Sequence, residues 1–298
     1  MKKLTHLGQS ANIQMVNIFS KVPTLRRARC NGRIYMKPET INLIKKNKIG
    51  KGNVLTTAKI AGILAAKQTD KLIPLCHTIG VDMIDLNFEL SENFIEATSL
   101  IETTHKTGVE MEAFMAVNIA LLTIYDMCKA VDRTMEINEI KLLEKIGGKT
   151  TFYRNKILSI NISKKRGTIK KPVKEVKVIK NFGIESDAHS GENSPRQISI
   201  LSTLSIEKIR RKGLNVKYGE FGENLTIKDI PIYEIPIGTK IRCGNEVMLE
   251  VTQIGKECIN RCTIYKQVGD CVMPREGVFA KVLKGGTLRV NEDIVIEY

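Results

Sequence analysis

NISKKRGTIKKPVKE, residues 161–175, holds six basic residues, a glycine and a proline without apolar periodicity. The chain keeps a different rhythm on each side of it, so no single layer of sheet and helix suits both sides. The expectation is two domains, residues 1–160 and 174–298, joined by a basic linker at 161–173. At 298 residues in all, each piece is long enough to bury a core of its own.

In the first piece KPETINLIKKNKI begins with a proline and an acidic residue suited to a first helical turn, and NVLTTAKIAGILAAKQTD reads as an alanine-rich helix starting at Asn53. The period then changes: Ile84, Leu86, Phe88 and Leu90 alternate with Met83, Asp85, Asn87 and Glu89, and FIEATSLIET follows across a turn at 91–93. That predicts an antiparallel hairpin with one buried face. ARCNGRIYM predicts an earlier strand, and a long helix is expected over 108–131, apolar nearly all round and therefore buried. Helices on one face of an antiparallel sheet make an α+β layer. The second piece offers short strand-like runs (QISILS, ENLTI, TKIRCG, VMLEVTQIG, DIVIEY) divided by Gly, Pro and Asn, with a single clear helix at SIEKIRRKG. Such spacing predicts a small β-barrel.

Lys plus Arg of 47 against Asp plus Glu of 32 gives a net charge of +15, a field that attracts anions. No Trp, 5% aromatics and no RNA-recognition or zinc-finger signature leave few stacking platforms, so nucleic acid is not the expected partner. A basic module gripping nucleotides or RNA without turnover is the alternative. Nowhere do about 18 uncharged apolar residues run together, and the N-terminus has no signal-peptide pattern, so the expected place is the cytoplasm, away from membranes. Seven cysteines, an odd number, argue for thiols rather than a disulfide framework.

The polar exceptions on the 108–131 helix are Glu110, Glu112, Asn118, Thr123, Asp126 and Lys129. Asp126 and Lys129 are three apart and share a face, as either a simple salt bridge or a functional pair. Glu112 lies fourteen residues before Asp126, roughly 21 Å along the axis. One small reacting centre cannot touch both, so a site using both is assembled between two copies of the chain; otherwise Glu112 merely complements the helix N-terminus. Lys51 in GKGNV and Lys106 in HKTGVEME each precede a helix, where anions are favoured, but neither stretch has the full phosphate-loop spacing. Cys76 and His77 are adjacent in IPLCHTIG. On an extended segment their side chains point to opposite faces, so a Cys–His dyad is disfavoured, and a thiol hydrolase using Cys76 is a further alternative.

KGNVLTTAKIAGILAAKQTDKLIPLCHTI, KTGVEMEA, LTIYDMCKAV and LLEKIGGKT, with LTHL near the start, resemble the MoaC family, the cyclic pyranopterin monophosphate synthases of molybdenum cofactor biosynthesis, over about 3–150. The resemblance implies a ferredoxin-like fold, a hexamer built from dimers, and a lyase. Its reaction would convert 3',8-cyclo-7,8-dihydro-GTP to cyclic pyranopterin monophosphate with release of pyrophosphate. It further implies Asp126 as catalytic acid/base, Lys51 and Lys129 as catalytic lysines, and Leu75, Cys76, His77, Glu110, Met111 and Glu112 as substrate contacts, with no cofactor for the lyase step and any need for Mg²⁺ left open. Cys76 is then pocket wall rather than nucleophile. Lys145 or Lys149 would assist in stabilising charge, and a lysine of lowered pKa would move protons. Relatives often carry Pro after the His; Thr78 stands there in this chain, implying a looser loop.

DAHSGENSPRQISILS, YGEFGENLTI, PIGTKIRCG and GDCVMPREGVFAKVLKGGTLRVNEDI resemble the molybdenum cofactor sulfurase C-terminal (MOSC) domain over about 174–298. That family is a β-barrel around an exposed cysteine, and the resemblance implies binding of molybdenum cofactor or carriage of sulfur, with molybdenum-ion and pyridoxal-phosphate binding among its attributes. Cys262 fits the family's cysteine best and Cys258 second; with Cys271 they complete no tetrahedral zinc set, so no metal site is expected. Lys256, Arg261 and Lys266 lie near them, and Arg196 and Arg275 are candidate contacts for a pterin phosphate.

Overall fold

The computed structural model describes residues 13–192, 194–258 and 263–298. They fall into two compact units divided between Thr151 and Phe152.

The first unit runs β1 (Thr24–Tyr35), α1 (Pro38–Lys45), α2 (Val54–Lys67), α3 (Thr69–Leu72), β2 (Met83–Leu90), β3 (Phe94–His105), α4 (Glu110–Cys128) and β4 (Glu136–Ile146). Its sheet order is β4-β1-β3-β2, antiparallel throughout. This is the β-α-β-β-α-β path of ferredoxin-like folds. Alternation along β1 decides the faces: Ala28, Cys30 and Ile34 are buried under the helices, while Arg27, Arg29 and Arg33 point the other way. Those arginines pair with Glu102, Glu144 and Glu96 across the sheet. Asn53 caps α2 by accepting from the Thr56 amide at 2.9 Å. Gly62 lets α2 close on α4, since a Cβ there would stand 2.6 Å from the Ala116 carbonyl oxygen.

Helix α4 differs from expectation in one respect. Ala113, Ala116, Val117, Ala120, Leu121 and Ile124 are buried, but Leu122 is more than half exposed, as are Ile60 and Leu64 on α2 and Leu72 on α3. A helix apolar all round needs cover all round, and one copy of this unit covers only part of it. Length and mean hydropathy (1.4) would let this helix cross a bilayer; it packs instead on α2, β1 and β3.

The second unit runs β5 (Phe152–Ile162), β6 (Lys171–Val173), β7 (Glu175–Ile179), β8 (Gly183–Ile184), β9 (Ile198–Ser202), α5 (Thr203–Arg210), β10 (Leu225–Ile227), β11 (Lys240–Cys243), β12 (Val247–Ile254), α6 (Thr263–Val268), α7 (Met273–Glu276), β13 (Val278–Lys284), β14 (Gly286–Arg289) and β15 (Asp293–Glu297). Strands in the order β10-β9-β13-β12-β11-β15-β5 close on themselves through β5–β10, making a seven-stranded barrel. Ile160, Ile198, Ile200, Leu225, Ile241, Leu249, Val282 and Ile294 fill its core. Beside it β14, β7 and β8 form a small sheet.

The division of the chain falls earlier than the sequence boundary at 160, because β5 supplies two of the barrel's seams. The basic stretch is correspondingly part of the barrel unit rather than a free connector. β6 pairs with the end of β5, and Lys170 is 2% exposed.

Candidate active site

Asp126 stands on the last turn of α4, and the residues around it come from two places. Lys129, the helix C-cap, puts Nζ 2.8 Å from Asp126 Oδ1. Lys51, in the loop before α2, donates from Nζ to Asp126 Oδ2 at 2.7 Å and to the Asp126 backbone carbonyl at 2.9 Å. All three side chains are about half exposed. Hydrogen bonds from Lys129 and Lys51 hold the carboxyl well below the usual range, at about 2, and the same contact raises Lys129. The lysine of lowered pKa expected from sequence is therefore not Lys129: without burial, the neighbouring carboxylate decides the direction. Lys145 is occupied elsewhere, donating to Thr150 O and Oγ1 at 2.6 and 2.8 Å.

A second group gathers at the other end of α4. Glu110, Met111 and Glu112 form its first turn, and Leu75, Cys76 and His77 follow α3. Glu112 is 4% exposed. Burial first, then the charges of Glu110 and Asp70, push it up to about 7, although its own backbone amide pulls the other way. Burial raises the Cys76 thiol, and Glu112 and Asp70 raise it further, so Cys76 is not an activated thiolate. His77 Nε2 lies 2.9 Å from the Val16 carbonyl oxygen. Cys76 and His77 thus have separate surroundings, as an extended segment requires. Thr78, which replaces the family's proline, donates to Asp70 Oδ2 at 2.6 Å, so the loop expected to be looser is tied by a bond that proline could not make. Glu110 lies back over Gly108, against which any Cβ would clash. Sequence reasoning had no signal for Asp70, which faces this group from α3.

Beside the barrel, the loops and α6 of the second unit enclose a cavity of about 960 Å³. Arg166, Lys170, Arg196, Lys256, Cys258 and His189 line it together with Ile169, Phe221, Met273 and Phe279. Cys258 is exposed; Cys262 and Arg261 lie outside the described residues. Arg196 donates to Gln253 Oε1 at 2.8 Å and stacks over Phe279 at 5.5 Å. Arg275 is not part of this lining and forks onto Asp270 at 2.9 and 3.2 Å. At the cavity's base Lys170 Nζ sits 2.7 Å from both oxygens of Asp187, with His189 Nδ1 3.6 Å from Oδ1. Burial foremost, then Lys170, lowers His189. None of these three came out of the sequence, because DAHSGE has no spacing that marks it as an interior ion pair. Among the described residues no cluster of three His, Cys, Asp or Glu could hold a metal.

A ferredoxin-like domain with a Lys–Asp–Lys cluster, followed by a closed barrel with a basic cavity beside it, describes a two-domain enzyme. Residues 15–148 match the MoaC family and residues 186–295 the MOSC domain. A cyclic pyranopterin monophosphate synthase of Desulfitobacterium hafniense is 47% identical over 152 residues, covering 51% of this chain and 93% of that protein. A molybdenum cofactor biosynthesis bifunctional protein of Chlorobaculum tepidum is 52% identical over 149 residues, 50% of this chain, and the match spans 48% of that longer protein. The YuaD protein of Bacillus subtilis, a solved structure, aligns with a TM-score of 0.43 at 17% identity, covering 50% of this chain and 98% of that one. The chain belongs to the MoaC family, a family of lyases, and carries a MOSC domain at its C-terminal end.

Proposed function

We propose that the first domain converts 3',8-cyclo-7,8-dihydro-GTP to cyclic pyranopterin monophosphate, releasing pyrophosphate, in the biosynthesis of molybdenum cofactor. The observation that carries this reading is the Lys51–Asp126–Lys129 cluster, at 2.7 and 2.8 Å, in a chain of this family. Ring opening and pterin formation need protons moved at several atoms. Asp126, kept ionised, is the acceptor, and Lys129, held protonated, is the donor. Closing the cyclic phosphate and expelling pyrophosphate builds negative charge, which the ammonium groups of Lys51 and Lys129 stabilise. Glu112 stands roughly 21 Å along α4 from Asp126, so the complete site, with His77 among its contacts, takes its two halves from two copies of the chain. The apolar side chains left uncovered on α2, α3 and α4 supply a surface for that contact, and a hexamer of such dimers is the proposed assembly.

The barrel's part is to bind molybdenum cofactor or carry its sulfur. The cavity fits such a ligand in kind: a soft thiol in Cys258, basic side chains in Arg166, Arg196 and Lys256 for a phosphate, and apolar walls for a pterin. Cys262 remains the family's own candidate for the thiol. Of the two lysines in the cavity lining, Lys170 is held by Asp187, so Lys256 is the amine that pyridoxal phosphate would need for a Schiff base.

The test is to incubate the full chain with the cyclic dihydro-GTP and follow pyrophosphate together with the fluorescent pterin formed on oxidation. Stoichiometric appearance of both is expected. Binding of the nucleotide without pyrophosphate would leave only the nucleotide-gripping alternative. Light scattering should return a multiple of the 33.4 kDa chain mass.

A further inference from the structure

We infer that His189, oriented by Asp187, is the base that takes the proton of the Cys258 thiol when that thiol accepts sulfur from a persulfide. This rests on the sulfur-carrying half of the proposed function and adds the group that makes the thiol reactive.

Asp187 is buried at the base of the cavity and accepts from Lys170 Nζ at 2.7 Å and from the Ser163 and His189 amides at 3.0 Å, which keeps it ionised. His189 Nδ1 lies 3.6 Å from Asp187 Oδ1, is itself buried and has no hydrogen-bond partner. An ionised carboxylate on that side favours the tautomer with its proton on Nδ1. The side chain is 39% exposed and lines the cavity, so the edge open to the cavity is the one that carries Nε2 and its lone pair. A carboxylate behind an imidazole whose far nitrogen faces a cavity is the arrangement of a general base.

The thiol lies on the same cavity. Cys258 is exposed and lines it, on the loop that follows β12. Lys256, two residues earlier, also lines the cavity; its amide donates to the Pro274 carbonyl at 3.2 Å, and its ammonium acts on both His189 and Lys170. That places the loop beside the imidazole. Burial first, then Lys170, with Lys256 and Arg166 behind them, lower His189 against the pull of Asp187, so the ring is neutral at neutral pH and free to accept. Once the proton has moved, Lys256 and Arg166 supply cations to the cavity that holds the thiolate, and Asp187 faces the imidazolium.

The step balances without an outside oxidant. Cys258 Sγ–H gives its proton to His189 Nε2, and the sulfur's electron pair attacks the outer sulfur of a donor R–S–SH. The new S–S bond to Cys258 forms as the donor's S–S bond breaks. R–S⁻ leaves with that pair and takes the proton from His189 as R–SH, and Cys258 is left as a persulfide.

Glutathione persulfide supplied to the full chain, with peptide mass spectrometry reading each cysteine, tests the assignment. At pH 7 wild type should gain one sulfur on Cys258, and His189→Ala, checked by its melting curve, should do so about tenfold or more slowly. His189→Gln, which fills the space without a base, should be equally slow. Free imidazole should restore the rate in His189→Ala and leave wild type unchanged, a recovery that lost packing does not give. Alkylation of Cys258 by iodoacetamide should follow the same order and reads His189 without any sulfur donor. Equal alkylation rates in wild type and His189→Ala overturn the inference, as does a slow rate that imidazole leaves untouched, or sulfur on Cys262 in place of Cys258. Alkylation that depends on His189 as expected, with no sulfur gained on any cysteine, would fail the sulfur-carrying reading while His189 keeps its role as the base of this thiol.

Discussion

Lys51 Nζ and Asp126 Oδ2 meet at 2.7 Å although seventy-five residues separate them. One stands between two glycines ahead of α2, the other on the last turn of α4, and the close approach of those helices at Gly62 brings them together. Lys129 reaches the same carboxylate from one helical turn away. The cluster is thus a product of helix packing at one point and of local helix geometry at the other.

Because these side chains are half exposed, their ion pairs add little to stability. Asp126→Asn, Lys51→Ala and Lys129→Ala should each melt close to wild type, yet lower pyrophosphate release by about 10²–10⁴-fold. Melting curves beside a turnover assay check this. Wild-type-like turnover in any of the three would remove that residue from the chemistry.

Asp126 should also titrate unusually. Its folded value of about 2 lies below the ordinary 3.8, so whatever stability it adds is present above that ordinary value and is lost as pH falls toward 2. Carboxyl-carbon NMR of the folded protein should find Asp126 still ionised at pH 3. In Lys129→Ala its midpoint should move upward, because the first of its two donors is gone.

Cys76 should prove dispensable for bond making. Its thiol is raised by burial and by Glu112 and Asp70, the reverse of what a nucleophile needs. Cys76→Ser is expected to keep turnover within about tenfold of wild type, as suits a pocket wall. A loss as deep as that of Asp126→Asn would restore the thiol mechanism.

The contact at Gly62 allows a prediction on folding alone. A Cβ at this position would stand 2.6 Å from the Ala116 carbonyl oxygen and from Leu86 Cδ2, so α2 and α4 would have to separate. Gly62→Ala should destabilise the first domain by about 1–3 kcal/mol in urea melts. Turnover should fall with it, since Lys51 and Asp126 sit on the two elements pushed apart.

What could be read in the sequence followed periodicity. The alternation in DMIDLNFEL and the alanine-rich helix starting at Asn53 both correspond to elements in the structure. The strand β4 was missed because EINEIKLLEKI alternates only loosely, and its burial pattern is mostly intermediate. The strand β5 was missed because a basic run follows it and draws the eye to a linker. In the site, motif resemblance gathered Lys51, Asp126 and Lys129, but it could not give the sign of the Lys129 shift, which depends on exposure. Asp70, His189 and the Lys170–Asp187 pair depend on contacts between distant segments, for which local spacing carries no signal.

The Lys170–Asp187 pair is the place where the basic stretch is structural rather than electrostatic. Both side chains are at most 2% exposed, and Asp187 also accepts from the Ser163 and His189 amides at 3.0 Å. Burial raises Asp187, but the ammonium of Lys170 and those two amides outweigh it and hold the carboxyl below its ordinary value. Its stabilisation is therefore complete at neutral pH and is lost as acid carries the protein below about pH 4. Lys170→Met removes the cation while leaving the carboxylate buried, a change that costs about 3–5 kcal/mol. It should also flatten the acid limb, because Asp187 no longer stays ionised so far down. Urea melts of both proteins at pH 7, 4 and 3 measure the two effects together. A variant as stable as wild type at pH 7, with the same acid slope, would mean that water rather than Lys170 satisfies Asp187, and the base of the barrel cavity would then be wetter than its burial implies.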